Sequence, residues 1–303
     1  MNKKQLTALI KTEKEKNKDL VILAHNYQKP EILEIADYVG DSLDLSRKAS
    51  VIKENTIVFC GVRFMAETAK ILSPQKTVLL PASGATCPMA CMITAENVLE
   101  LKTLHPKAKV VCYVNSTAEV KAVSDACCTS SNALSVVNNI DAEEIIFIPD
   151  KNLGAYCQRF TSKKIILWNG FCYVHNSMSL QKLLRIKKVH PRALVLAHPE
   201  CGKEIIDSAD HVLSTNGMLE LASKAREKDF IIATETGLLY RLRKENPSKH
   251  FYALDSADYC YNMKKTSLLD VYLCLKKRRT IIVLDDEIMK RARLSLQEML
   301  KYA

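Results

Sequence analysis

The sequence predicts an α/β protein of three homologous three-layer αβα domains with short parallel sheets, arranged about a pseudo-threefold axis with a central active site. Three observations lead there. Strand-like apolar runs alternate with helical patterns along the 303 residues, and runs that are apolar almost throughout suit parallel strands covered on both faces. The same landmarks return every 85 to 88 residues, the mark of an internally repeated fold. A chain of this length also exceeds one small core and suits two or three compact units.

The cysteines set the period. Cys87, Cys172 and Cys260 stand 85 and 88 residues apart, and each follows a short apolar run: "TVLLP", "KIILW" and "HFYAL". A constant 26 residues beyond each, another β-rich run ends in a polar residue: Tyr113 in "VVCYVN", His198 in "LVLAHPE" and Asp286 in "IIVLDD". His25 in "VILAHNYQ" extends the register backwards, 88 residues before Tyr113. An acidic-then-hydroxyl motif keeps the same spacing: "ADYVGDS" with Asp37 and Ser42, "SDACCTS" with Asp125 and Ser130, "ADHVLST" with Asp210 and Thr215. A third strand set, "TIVFCG", "EIIFIPD" and "DFIIATE", nearly obeys it. Each unit reads strand, helix, hydroxyl-bearing loop, strand, helix, strand, cysteine, helix. The expected domains are 1–107 with an N-terminal helix, 108–192 and 193–278, with 279–303 a strand and helix completing one of the sheets.

Composition narrows the class. Lys and Arg number 44 against 34 Asp and Glu, a net charge of +10. The basic clusters "KTEKEKNK", "LRIKK" and "CLKKRR" fall on expected helices and read as solvated faces, so no nucleic-acid partner is expected. A basic balance also suits small polyanionic substrates. The opening segment is a polar helix pattern with no signal-peptide core, and no apolar run approaches a membrane span, so a cytoplasmic protein is expected. Eleven cysteines in a reducing compartment argue against a disulfide framework. Cys60, Cys112 and Cys274 read as core residues, whereas Cys87, Cys172 and Cys260 come just after strand-like runs, where ligands sit.

Three thiols from three units suit few purposes. Zinc would take them with His175 of "LWNGFCYVH" as a fourth ligand. An iron–sulfur cubane held by three thiolates would leave one iron open as a Lewis acid. Spacing does not separate the two. His25, Tyr27, Tyr113, Asn115, His175, His198 and Glu200 are polar groups where apolar runs end, the edge at which α/β sheets gather function; His198 with Glu200 suits proton transfer. Ser42, Ser130 and Thr215 stand in loops expected to open helices, suited to carboxylate or phosphate. The chain has eight glycines, no Gly-x-Gly-x-x-Gly, no P-loop and no nucleophile elbow, so hydride transfer and nucleotide hydrolysis recede.

The segments "AHNYQ", "GDSLDLS", "YVNS", "TSSNA", "GFCYVH", "HPEC", "STNGM", "ATETG" and "CYNMKK", in this order, resemble the quinolinate synthase A family of bacterial NAD biosynthesis over essentially the full length. The resemblance implies three α/β domains about a pseudo-threefold axis and one [4Fe–4S] cluster, with Cys87, Cys172 and Cys260 as its ligands. It implies condensation of iminoaspartate with dihydroxyacetone phosphate to quinolinate, losing phosphate and two waters, with the open iron as Lewis acid. His25, Tyr27, Tyr113, Asn115, His198 and Glu200 would line the site. Tyr27, His198 and Glu200 would move protons, and Ser42, Ser130 and Thr215 would hold carboxylates or phosphate. Asp41 belongs to the "GDS" match as a substrate-side residue, and His175 would face substrate or orient a ligand. Pathway logic adds a transient contact with the enzyme supplying iminoaspartate; the sequence sets no oligomeric state.

Two features depart from the family pattern. "CPMAC" puts Pro88 and Cys91 after the first ligand, making Cys91 a competing ligand, and "DSADYC" lacks the extra cysteines of a local disulfide switch. The rival readings are another iron–sulfur hydro-lyase acting on a small dicarboxylate, and a basic nucleic-acid-binding protein with zinc at Cys87, Cys172, His175 and Cys260. A central site admitting two anions also leads us to expect that one domain moves.

Overall fold

The computed structural model describes residues 1–302. The chain begins α1 (Lys3–Lys16), β1 (Leu20–His25), α2 (Pro30–Leu33), β2 (Tyr38–Gly40), α3 (Ser42–Val51), β3 (Thr56–Cys60), α4 (Arg63–Leu72) and β4 (Thr77–Leu79), followed by a 3-10 turn at Pro88–Cys91. It continues α5 (Ala95–Leu104), β5 (Lys109–Tyr113), α6 (Ala118–Ala122), β6 (Ala126–Cys128), α7 (Ala133–Asn139), β7 (Glu144–Ile148), α8 (Lys151–Gln158), β8 (Lys164–Leu167) and α9 (Tyr173–Asn176). Then come α10 (Leu180–Val189), β9 (Leu194–Ala197), α11 (Lys203–Asp207), β10 (His211–Val212), α12 (Thr215–Lys224), β11 (Asp229–Ala233), α13 (Leu238–Glu245) and β12 (His250–Ala253), with α14 (Leu268–Lys277) and α15 (Asp286–Lys301) after them.

The strands form three four-stranded sheets of one topology, β2-β1-β3-β4, β6-β5-β7-β8 and β10-β9-β11-β12, every named pair parallel. The expected α/β class with three like units is what the chain adopts. The central strands are buried almost end to end, β3 completely, as parallel strands between helical layers must be, and the edge strand β6 is buried completely too. Cys60, Cys112 and Cys274 lie in the core.

The acidic landmark turns out to be a structural pin. Asp37, Asp125 and Asp210 each stand just before an edge strand and accept, through Oδ2, the backbone N–H of Ile22, Val110 and Val195 at 2.8, 2.8 and 2.7 Å. Their own N–H groups return to the carbonyls of those same three residues at 2.8, 3.0 and 2.9 Å. A lysine of the preceding long helix faces each aspartate: Lys14 at 2.6 Å, Lys102 at 3.5 Å and Lys187 at 3.7 Å. Two-point bonding fixes which residue of the central strand the short edge strand meets, and register decides which side chains face the core.

Two expectations need correction. The acidic-to-hydroxyl segments contain the edge strands β2, β6 and β10 as well as a loop; at two or three residues they are too short to show alternation. "IIVLDD" is not a parallel strand matching "VVCYVN" and "LVLAHPE". It makes one antiparallel bridge, Ile281 to Leu79, and Asp286 is the first residue of α15, capped by Asp285. The amphipathic helix α15 then buries Ala292, Leu296 and Met299 against α6, β6 and α4, between the first two sheets. No helix among the described residues is long and apolar enough to cross a membrane.

The pin separates two energies. Asp125→Ala leaves the Val110 N–H without its acceptor and should lower the unfolding free energy by about 1–3 kcal/mol. Asp125→Asn keeps an acceptor and loses only half-exposed lysine contacts, for about 1 kcal/mol or less. Urea melts of both variants check this, and equal losses would assign the effect to charge.

Candidate active site and metal centre

The carboxyl ends of the strands deliver the site. His25 ends β1 and Tyr113 ends β5, while His198 follows β9; Tyr27, Asn115 and Glu200 stand two residues beyond these three. The alternation of a strand entering a turn thus presents two polar side chains per unit to the same region.

A narrow cavity of about 60 Å³ collects residues of all three units. Cys87, Cys172 and Cys260 line it with Tyr27, Asn115, His175, Glu200 and Glu235. Each of the three thiols is half-buried, whereas Cys91 is exposed at the end of its 3-10 turn. Cys87, not Cys91, therefore faces the cavity.

Glu200 is the centre of the polar network. Its Oε2 lies 2.6 Å from His175 Nδ1 and 3.4 Å from His198 Nδ1, and the two imidazoles stack with centroids 4.5 Å apart. His175 Nδ1 also lies 3.3 Å from Cys172 Sγ, and its Nε2 is 2.9 Å from Thr234 Oγ1. Thr234 Oγ1 in turn meets the Tyr27 hydroxyl at 2.6 Å. Cys172, His175 and Glu200 offer ligand atoms all within 4.8 Å of one another. Asn115 Oδ1 and Glu200 Oε1 are buried without a hydrogen-bond partner, a state that calls for a ligand.

Burial and neighbouring charge set the protonation states. Burial is the main force pushing His25 and His198 down to about 3, helped by Lys264 at His25 and by His175 at His198. Burial, reinforced by Glu200, lifts the Tyr27 and Tyr113 phenols well above their ordinary range. At Glu200 burial opposes the charge, but His175, His198 and the Tyr113 hydroxyl outweigh it and hold the carboxyl low. Burial also pushes the Cys87 thiol up to about 12 and raises those of Cys172 and Cys260, so metal binding here must displace thiol protons. Neutral imidazoles, protonated phenols and one anionic carboxylate make a set suited to passing protons.

The expected anion grips divide. Ser130 and Asp41 line a second, outer cavity of about 710 Å³ with Arg47, Ser131, Asn216 and Arg241. Asp41 is committed within the protein: it caps α3 through Leu43 and Asp44 N–H at 3.0 Å and accepts from Ser131 Oγ at 2.5 Å. Ser42 and Thr215 are the first residues of α3 and α12. The Thr215 hydroxyl accepts from Asn26 Nδ2 at 2.9 Å. Ser130 stands three residues before α7, so the hydroxyl register does not give three equivalent helix starts.

Sequence reasoning missed Thr234, Asp150, Glu235 and Lys264. Asp150 and Glu235 each stand two residues past a strand end, the position already singled out for Tyr27 and Asn115. That signal was present in "EIIFIPD" and "DFIIATE", where only the strands were read. Lys264 carried no such mark.

The sequence matches the protein family described as Quinolinate synthetase A protein over residues 8–301. It is similar to the quinolinate synthase of Methanoregula boonei, 52% identical over 298 residues covering 97% of this chain and 98% of that protein. It is also similar to that of Clostridioides difficile, 51% identical over 301 residues with 99% of each covered. The quinolinate synthase of Thermodesulfovibrio yellowstonii is 50% identical over 286 residues, 94% of each. With this match end to end, and with its strand ends gathered on one cysteine-lined cavity, the chain belongs to the Quinolinate synthetase A protein family.

Proposed function

We propose that the chain is a quinolinate synthase of NAD biosynthesis, condensing iminoaspartate with dihydroxyacetone phosphate to quinolinate with loss of phosphate and two waters. In this reading Cys87, Cys172 and Cys260 hold a [4Fe–4S] cluster, and the three units, bounded near 107/108, 192/193 and 278/279, are arranged about a pseudo-threefold axis. One observation carries it: three thiols, one from each repeat, line a single cavity beside two buried acceptors that lack partners. That donor set fits a cluster with three protein ligands. When bound, the cluster supplies an open iron as Lewis acid for substrate oxygen. The work belongs to the cytoplasm, where thiols stay reduced.

The side chains supply positioning and protons. His175 Nδ1 meets Glu200 Oε2 and its Nε2 meets the Thr234 hydroxyl, which in turn meets that of Tyr27. One chain then runs from phenol to carboxylate. Glu200 takes a substrate proton at its free Oε1, and Tyr27 and Tyr113 donate protons to leaving or developing oxyanions. His25 and His198 stay neutral and hold the rings of Tyr27 and His175 in place, His25 by an edge contact at 4.7 Å and His198 by its stack. Asn115 Oδ1 orients a substrate N–H or O–H. Ser42, Ser130 and Thr215 take the carboxylates or phosphate once the units part.

Anaerobic reconstitution should give about four irons per chain and quinolinate from the two substrates, and Cys172→Ala should abolish both. Activity without iron would sink this reading. Glu200→Gln should keep the iron and lower kcat by about 10²–10⁴, measured as quinolinate formed.

His25 also sets an acid sensitivity. Its folded value of about 3 lies below the 6.5 of the unfolded imidazole, so the unfolded chain takes up the proton first. The stability is whole above pH 6.5 and lost progressively as pH falls toward 3. Between pH 7 and 5 the native chain should lose about 2 kcal/mol that His25→Gln does not. Urea melts at the two pH values check the difference.

A further inference from the structure

A backbone joint recurs in every unit. The N–H groups of Arg63, Lys151 and Thr236, each just after a strand-end turn, donate to the carbonyls of Ala85, Gly170 and Asp258 at 2.8, 2.9 and 2.8 Å. Those carbonyls lie two residues before Cys87, Cys172 and Cys260. Each cysteine loop is thereby tied to the turn after the third strand of its own unit.

The residue before each donor is Val62, Asp150 or Glu235, in the 88- and 85-residue register. The two acids do more than close a turn. Asp150 Oδ1 accepts from Leu153 N–H at 2.8 Å, capping α8, while Oδ2 accepts from the N–H of Cys172 itself at 3.1 Å. Glu235 Oε2 accepts from Gly237 N–H at 2.7 Å, at the start of α13, while Oε1 accepts from the N–H of Cys260 at 3.1 Å. Both carboxylates are fully buried. Burial, then the nearby Glu200, pushes the Asp150 carboxyl upward, against the amide bonds that favour the anion.

Among the described residues, the third unit alone sets a cation on its carboxylate. Lys264 Nζ lies 2.7 Å from Glu235 Oε1 and 3.0 Å from Oε2, and it also donates to the Tyr27 carbonyl of the first unit. A Cβ on Gly237 would meet Glu235 Oε2 at 2.7 Å and the Tyr27 carbonyl at 2.9 Å, so the glycine lets the backbone close on this pair. The first unit shows that helix capping does not require an acid here: α4 starts from Val62 with no side-chain cap.

We propose that Asp150 and Glu235 are positioning residues that clamp the backbone N–H of the ligand cysteines Cys172 and Cys260, and that Lys264 sets the charge of the second clamp. The inference rests on the cluster-bearing reading above. A carboxylate on the cysteine amide fixes the loop and keeps that N–H from the sulfur, and hydrogen bonding and net charge near a cluster set its potential. Glu235→Gln leaves the Lys264 cation unbalanced and should raise the potential. Lys264→Met leaves the anion unbalanced and should lower it.

Two measurements test the clamps. In the iron-free full chain, amide exchange at Cys172 should be about tenfold faster in Asp150→Ser, which keeps a helix-capping hydroxyl, than in the unaltered protein. Unchanged exchange there overturns the clamp. In reconstituted protein, redox titration followed by electron paramagnetic resonance should show opposite shifts for Glu235→Gln and Lys264→Met. Equal potentials in both variants and the unaltered chain overturn the charge-setting role. An unaltered chain that binds no cluster would instead overturn the function proposed above, while the exchange result stands apart from it.

Discussion

The centre of the molecule depends on the contact between Glu200 and His175. A carboxylate this deeply buried is costly unless it is paired and hydrogen-bonded, and its 2.6 Å partner comes from a different unit. His175 passes the dependence on through Thr234 to Tyr27, so the second, third and first units meet in one hydrogen-bonded line. Removing any middle member would leave a buried polar group unanswered. Networks of this kind favour one arrangement because half-satisfied alternatives are worse than none.

What the sequence disclosed follows from what repeats and what does not. Spacing located Cys87, Cys172 and Cys260 among the eleven cysteines because they keep one register and each comes after an unmistakable apolar run. The same register placed His25, Tyr113 and His198 at carboxyl ends of strands, where parallel sheets gather function. It failed at "IIVLDD", since an apolar run shows a strand candidate but not its partner, and this one meets β4 antiparallel by a single bridge. The meaning of Asp37, Asp125 and Asp210 was hidden for a different reason: their partners are backbone N–H groups, which leave no trace in side-chain identity. Thr234 and Lys264 belong to contacts across units, which spacing within a chain does not reveal.

The repeats have diverged most where the chemistry is. All three units keep the aspartate pin and the backbone joint, which are purely architectural. At the clamp position they carry Val62, Asp150 and Glu235, and at the hydroxyl position Ser42, Ser130 and Thr215, whose surroundings differ. A threefold scaffold supplies equivalent places. An asymmetric reaction between two unlike substrates needs those places filled differently.

Electrostatics explains why the outer cavity is not a deep anion trap. The chain carries a net charge of +10, enough to draw anions from solution. Yet the outer cavity sets Arg47 and Arg241 against Asp41, Asp44, Glu220 and Glu245, and Arg241 is already engaged by Glu245 at 2.7 Å and by Asn26 Oδ1 at 2.5 Å. Local balance leaves no deep well there. Under the proposed function, the buried acceptors Asn115 Oδ1 and Glu200 Oε1 gain most from the N–H and O–H donors of a substrate, while its anionic groups fall to the hydroxyls of Ser42, Ser130 and Thr215.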